Sequence, residues 1–359
     1  MSTITWENIL EQRNLLCSTV EKIDKTSRIA LFGFTGFGQW DCDYLTAEGY
    51  KVICYIDNSP QLQGTFQNGL PVVGPSDELV ETVDVVLTTM KTPAPEILQS
   101  FEGRLACLPF DTWFASRSLD KYETIRNQVL CDNEGRQCLD AILLSMLTWN
   151  RKYCCSVCQP NQYFCLPHFT SPGKEYFIDL GAYVGDTVEQ FIWANGGGFK
   201  HLHAFEPGVA TFQALQKRTT RLVEEWALDT DTISLVQAGI AETSSRANMT
   251  SSESGLSSTG IEIDDAEGDT QLLTLDEYLK TPVTLIKADI EGMELQMLRG
   301  AQETLQKYRP KLALCVYHRP DDLFTLTDYL HSLVPEYQMT LRHHAPNLAE
   351  TVLYCWIDD

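Results

Sequence analysis

Residues 176–187 read Tyr-Phe-Ile-Asp-Leu-Gly-Ala-Tyr-Val-Gly-Asp-Thr. The run from Tyr176 to Leu180 is apolar enough for a buried strand, and it passes straight into a turn carrying Gly181 and Gly185, after which Asp186 opens a helix. Two glycines at such a turn let backbone approach a ligand with no Cβ in the way. A glycine turn between strand and helix is also ordinary βα punctuation, and this spacing is not G-x-G-x-x-G. The residues around it therefore have to decide the reading.

Towards the C-terminus the alternation continues: strand His201 to Phe205, helix from Val209, strand Thr232 to Gln237, and a short helix near Leu275 to Leu279. Strand Val283 to Ala288, helix Met293 to Tyr308, strand Lys311 to Tyr317 and helix Asp321 to Leu333 follow. The ending changes character, because Tyr337 to Arg342 and Thr351 to Trp356 are joined by a short polar segment, as in a hairpin. Thr243 to Gly260, rich in Ser, Thr and Gly, reads as a surface loop.

Towards the N-terminus, Arg28 to Gly33, Lys51 to Ile56, Asp84 to Thr88 and Arg104 to Leu108 read as four strands separated by helices or turns, hence a second parallel sheet. From Leu119 to Trp149 the pattern is helical, and Ile142, Leu143, Met146 and Leu147 offer an apolar face to bridge two bodies. The expected layout is α/β with two Rossmann-like domains: 1–117, a helical linker with a cysteine cluster over 118–175, and 176–359.

Composition narrows the function. Lys plus Arg number 27 against 49 Asp plus Glu, a formal charge of −22, which disfavours an extended phosphate-binding face and so a nucleic-acid partner. No run approaches the ~20 apolar residues of a membrane span, and the polar opening MSTITWENILEQRN lacks a signal peptide's basic and apolar regions. A cytoplasmic protein without membrane attachment is expected, with most of its 12 cysteines reduced. Association into a homo-oligomer stays open.

The carboxylates that end successive strands carry the site. Glu206 follows the His201 to Phe205 strand, where an acid accepts the hydroxyls of a ribose. Asp179 near the end of the first strand suits a cationic ligand and repels a pyrophosphate. Helix capping accounts for either residue alone, and for the two together it is the weaker reading.

Four segments, in order, resemble the FkbM family of methyltransferases: Phe177-Ile-Asp-Leu-Gly-Ala-Tyr-Val-Gly-Asp-Thr187, Ala204-Phe-Glu-Pro207, Leu273-Thr-Leu-Asp-Glu-Tyr278, and Ile286-Lys-Ala-Asp-Ile-Glu-Gly-Met-Glu294 followed by Leu298-Arg-Gly-Ala301. The resemblance runs from about Tyr176 to the C-terminus. It implies a class I methyltransferase fold with a seven-stranded sheet, S-adenosyl-L-methionine as donor, and O-methylation of a sugar or small metabolite. Carried onto this chain, Asp179, Gly181 and Gly185 line the methionine end of the cofactor, Glu206 holds its ribose, and Gln237 and Ala238 lie on the adenine side.

Methyl transfer from a sulfonium needs a positioned acceptor and a base. The first strand and the Val283 to Ala288 strand should flank the switch point of the sheet, placing Asp289 beside the glycine turn. Asp289 and Glu291 are candidates for base, acceptor or metal ligand, with capping of the following helix as the plainer reading. His318, ending the next strand, has the side chain whose ordinary pKa suits proton removal near neutrality and is taken as general base with Asp289. Glu291, Tyr317, Arg319, Arg342, His343 and His344 are the candidate acceptor contacts.

Two further signals compete. Gly33-Phe-Thr-Gly-Phe-Gly38 with Asp57 looks like a nucleotide turn, which opens an oxidoreductase reading through Gly36 and Asp57; a non-catalytic assembly protein is the third reading. Cys155, Cys158, Cys165 and His168 have soft ligand atoms, but their central gap is short for a zinc ribbon, and no metal ligand set is assigned.

Overall fold

The computed structural model describes residues 4–92, 94–251, 259–263 and 268–358. Its N-terminal sheet has six strands, in the order Phe66–Gln67, Leu70–Val73, Lys51–Ile56, Arg28–Phe32, Val85–Thr88, Ala106–Pro109. All neighbours are parallel except the first pair. Ile29 to Phe32 and all of Val85–Thr88 are buried, as expected for parallel strands covered on both faces. The four expected strands are present. The edge hairpin adds to them, and Asn68 and Gly69 supply it with two positive φ values, 50° and 75°, the pair a two-residue type I′ turn requires.

The helix Asn133–Thr148 starts at Asp132, whose carboxylate accepts the Gly135 amide at 2.6 Å, and stops at Trp149 in the left-handed region. Its apolar face, with Leu139, Leu143 and Leu147, packs against helices Trp6–Val20 and Phe110–Arg117 on one side and strand Gln338–His343 on the other. One hydrophobic core therefore runs from the first sheet into the second.

The C-terminal sheet has seven strands, ordered Gln338–His343, Thr351–Trp356, Lys311–Cys315, Leu285–Ala288, Tyr176–Leu180, His201–Phe205, Ile233–Val236. The Thr351–Trp356 strand is antiparallel to both neighbours and the rest are parallel. The expected terminal pair is real, but its second member inserts between the first and the body of the sheet. Strand order reverses between Tyr176–Leu180 and Leu285–Ala288, the switch point where an open α/β sheet leaves a crevice.

Two sequence expectations need correction. The helix expected over Met293 to Tyr308 is two helices, Glu294–Arg299 and Gln302–Tyr308. They part at Gly300, where a Cβ would lie 2.1 Å from the Ala241 carbonyl oxygen, so another backbone occupies the side of the helix there. The loop expected from Thr243 to Gly260 holds two antiparallel strands, Ser245–Ser251 and Thr259–Ile263, in a four-stranded sheet with Thr270–Leu273 and Gly239–Ile240. Ala247 and Met249 in the first strand and Ile261 and Ile263 in the second alternate with polar neighbours, a period-2 pattern inside the Ser- and Thr-rich composition. Residues 252–258 of the expected loop lie outside the described residues.

Candidate functional site

The switch point opens into a cleft of about 890 Å³ whose walls come from both halves of the chain. The glycine turn forms its floor. Gly181 has φ +74°, and a Cβ there would lie 1.9 Å from the Asp289 carbonyl oxygen; Gly185 has φ +86° and leaves a Cβ 2.9 Å from Leu215 Cδ1. The turn thus lies directly on the segment that follows Leu285–Ala288, and only glycine allows that approach. Glu206 stands next to it, with Oε2 accepting the Tyr183 amide at 2.9 Å and Oε1 accepting the Gly208 amide at 2.8 Å and the Thr211 hydroxyl at 2.6 Å. The carboxylate is held rigidly, and it lines the cleft beside Ala238, Gly239 and Ile240.

Asp179 is placed differently from the expectation. It does not line the cleft; it is wholly buried beside Lys287, whose Nζ is 3.1 Å from Asp179 Oδ1 and donates to the carbonyl oxygens of Gly181 at 2.7 Å and Leu180 at 3.2 Å. Burial pushes the Asp179 carboxyl above its ordinary value and Lys287 pulls it part of the way back. For Lys287, burial acts to lower the pKa, but Asp179 and Asp289 more than reverse it, so the ammonium stays charged. The pair braces the turn from behind.

Across the turn, acids and aromatic hydroxyls converge. Asp289 Oδ2 accepts the Tyr163 hydroxyl at 3.0 Å, and the Tyr317 hydroxyl lies 3.2 Å from Asp289 Oδ1 and 3.3 Å from Glu350 Oε1. Gln162 Nε2 donates to Glu350 Oε2 at 2.7 Å. His318 is buried, with Nε2 3.3 Å from Asp289 and 3.8 Å from Glu291, and Nδ1 3.1 Å from Glu294. Burial acts to lower the imidazole pKa, yet Glu294, Asp289 and Glu291 together push it up to about 10. At neutral pH the ring is already protonated, which removes His318 from the role of general base expected for it. Asp289 is a weak base too: burial raises its carboxyl, but Lys287, His318 and the Tyr163 hydroxyl outweigh burial and leave it below the ordinary value. Glu291 goes the other way, pushed by burial up to about 7.

Of the remaining candidates, Tyr317, Glu291 and Ala238 line the cleft, whereas Gln237 is exposed and outside it. Arg319 also stands apart from the lining residues, its Nε donating to the Gly292 carbonyl at 2.9 Å. Arg342, His343 and His344 point elsewhere. Arg342 Nη2 pairs with Asp132 at 2.8 Å and Glu134 at 2.9 Å; His343 is fully buried between Thr351 and the Asn347 carbonyl; His344 bonds the Gln159 carbonyl and the Tyr354 hydroxyl. These three secure the terminal hairpin, because inward-facing polar residues at a strand end need local partners.

Residues 179–343 match the family model described as the methyltransferase FkbM domain. Over these residues the chain is similar to FkbM methyltransferases. The fold extends the likeness beyond it: the solved structure of methyltransferase FkbM from Methylobacillus flagellatus KT is 24% identical, covers 98% of this chain and 98% of its own, and superposes with a TM-score of 0.61. Both halves of the chain thus share that fold. An rRNA methylase from Streptococcus thermophilus is 16% identical over 52% of this chain and 89% of its own, with a TM-score of 0.33. Aeropyrum pernix fibrillarin with natively bound S-adenosyl-L-methionine is 13% identical over 62% and 76%, with a TM-score of 0.32. No curated protein matches the chain.

The residues that match the family model do not form the cleft alone. Thr35, Gly36, Phe37, Trp40 and Lys91 of the N-terminal half line its outer wall, with the Trp40 ring 5.3 Å from the His318 ring. The glycine-rich stretch Gly33 to Gly38 therefore serves this shared cleft. Its Asp57 is occupied locally, accepting the Phe34 amide at 2.9 Å and the Ser59 amide at 2.8 Å, as a turn-stabilising carboxylate does. The sequence carried no sign of Trp40, Lys91 or Glu350 at the site; Gln162 and Tyr163 reach it from the linker. The cysteine cluster is dispersed: Cys155 Sγ faces the Pro346 carbonyl, Cys165 Sγ faces the Tyr354 hydroxyl, and the His168 ring packs 4.6 Å from Trp356. Among the described residues no helix is long and apolar enough to cross a membrane.

Proposed function

We propose that the chain is an S-adenosylmethionine-dependent O-methyltransferase acting on a hydroxyl of a sugar or other small metabolite. The observation that carries this reading is the continuity of one cleft, from the Gly181 turn and Glu206 to the Asp289, Glu291 and Glu350 carboxylates under Trp40. The residues present fit the donor. Glu206 Oε2 has a single protein donor and keeps acceptor capacity for ribose hydroxyls, and Ala238, Gly239 and Ile240 offer a small, mostly apolar wall to a flat base. The lining acids Asp186, Glu206, Asp289, Glu291 and Glu350 outnumber the cations Lys91, Lys287 and His318, which favours a ligand without phosphate.

When bound, S-adenosylmethionine supplies an activated methyl: the acceptor oxygen forms the new O–C bond, the C–S pair stays on sulfur, and the hydroxyl proton leaves to a base. Glu291 is the residue for that proton. Its carboxylate lines the cleft and, unlike Asp289 and Glu350, takes no hydrogen bond from a neighbouring tyrosine or glutamine. His318, charged, orients Asp289 and Glu291 from behind. Phe37 and Trp40 offer aromatic faces suited to the C–H face of a sugar ring. An acceptor with many hydroxyls and no negative charge matches this wall.

Calorimetric titration with S-adenosylhomocysteine, comparing the unaltered protein with Glu206→Ala and using reduced nicotinamide as control ligand, tests the reading. Binding lost in the variant supports it and justifies an acceptor screen. Binding of nicotinamide alone in a folded sample would discard it.

A further inference from the structure

The outer wall of the cleft holds a cation that no step of methyl transfer uses. The groups assigned to the donor, from the Gly181 turn and Glu206 to Ala238, all lie in the C-terminal half, whereas Phe37, Trp40 and Lys91 come from the N-terminal half. The Lys91 side chain is 11% exposed, and among the described residues its ammonium has one hydrogen-bond acceptor, Asp111 Oδ1 at 2.7 Å. An ammonium carries three N–H groups, and proteins seldom leave shielded donors unused. Nζ also lies 5.2 Å from the centre of the Phe37 ring, which lines the cleft, so the spare donors stand at the cleft wall. Burial acts to lower the Lys91 pKa, but Asp111 and Asp41 more than reverse it, and the ammonium stays charged. Its ion pair with Asp111 is neutral as a whole, which leaves little attraction for an anion facing Asp289, Glu291 and Glu350. The residue is also fixed in place: its carbonyl accepts the Leu348 amide at 3.3 Å, tying it to the segment that brings Asn347 and Glu350 to the cleft.

We propose that Lys91 is a specificity-determining residue for the acceptor: its spare N–H groups donate to a hydroxyl of a neutral, polyhydroxylated ring that lays its C–H face on Phe37. A site that hydrogen-bonds a ligand hydroxyl rejects an analogue lacking it, because the protein donor is then left unpaired. The N-terminal half thus selects the acceptor while the C-terminal half holds the donor. What the ring is there for rests on the O-methyltransferase reading; its binding beside Lys91 does not.

The test is a saturation-transfer difference NMR titration of the full chain, with and without S-adenosylhomocysteine. The methyl glycosides of glucose, galactose, mannose and rhamnose are the neutral probes, and glucuronate is the charged one. At least one neutral glycoside is expected to bind, and to bind better than glucuronate. Lys91→Met alone would strand the Asp111 carboxylate, so it is paired with Asp111→Leu. Glycoside affinity should fall about 10–100-fold in that double variant, the loss of a hydrogen bond from a charged donor, while S-adenosylhomocysteine affinity stays as it was. Phe37→Ala, which leaves the ion pair intact, should weaken the same glycoside and again spare S-adenosylhomocysteine. Binding of no neutral glycoside, equal affinity in the Lys91 double variant, or a preference for glucuronate overturns the inference. S-adenosylhomocysteine binding without glycoside binding overturns this subsite alone. Glycoside binding that depends on Lys91, in a protein that does not bind S-adenosylhomocysteine, supports the subsite while counting against the methyltransferase reading.

Discussion

Lys287 stands 3.1 Å from Asp179 on the neighbouring strand, with both side chains out of contact with water. The two residues occupy paired register positions in adjacent parallel strands, so the sheet itself brings them together. Their charges compensate where neither could stay ionised alone, and the ammonium also gathers the carbonyls of Leu180 and Gly181.

Lys287→Met would leave Asp179 buried without a countercharge. A loss of about 3–5 kcal/mol of stability is expected, because removing one partner of a buried pair strands the other. Urea unfolding measures it. The double variant Lys287→Met with Asp179→Leu should recover much of the loss, and failure to recover any would mean that Lys287 acts through the turn carbonyls instead.

Gly181→Ala places a side chain at φ +74° with its Cβ on the Asp289 carbonyl. The left-handed backbone alone costs about 1–3 kcal/mol, and relief of the contact moves Asp289 away from Tyr163 and Tyr317. Reduced melting temperature together with weaker S-adenosylhomocysteine binding is expected. A variant melting like the unaltered protein contradicts the close approach.

Glu206→Gln keeps the shape of the side chain and removes its charge. Charge-assisted hydrogen bonds contribute about 1.5–3 kcal/mol, so S-adenosylhomocysteine affinity should fall roughly 10–100-fold. Glu206→Ala should also lose stability, since the Tyr183 and Gly208 amides lose their acceptor. Equal affinity in both variants and the unaltered chain would move the ribose elsewhere.

Glu291→Gln separates binding from chemistry. General-base removal lowers turnover about 10²–10⁴-fold. S-adenosylhomocysteine affinity should stay as it was, because Glu291 lies across the cleft from Glu206. An active Glu291→Gln enzyme, once an acceptor is found, would hand the proton to another group.

Asp132 offers a pH test away from the cleft. Burial acts to raise its carboxyl, but Arg342, the Gly135 amide and Thr340 outweigh it and hold the pKa below the ordinary value. A depressed carboxyl stabilises the fold above its unfolded pKa, and that contribution disappears as pH falls through the folded one. Because the side chain is 37% exposed, solvent screening limits the pair to about 1 kcal/mol or less. Asp132→Asn keeps the helix cap and removes the charge. Its unfolding free energy should fall less steeply than the unaltered protein's below pH 4; parallel curves would remove Asp132 from the acid response.

The sequence by itself determined the strand order of reading, the glycine turn, Glu206 and Asp289, because apolar periodicity and residues at strand ends are local properties of the chain. Asn68-Gly69 is a local property of the same kind, and it sets the edge hairpin. Only the tertiary structure decided that Asp179 turns inward to Lys287, that Glu294, Asp289 and Glu291 raise the pKa of His318, and that Glu291, unlike Asp289 and Glu350, takes no hydrogen bond from a tyrosine. Those outcomes depend on which charges lie within a few ångströms across separate strands, and on how much water reaches them. Trp40 and Glu350, more than three hundred positions apart, reach the same cleft for the same reason: packing between the two sheets, which no local pattern encodes.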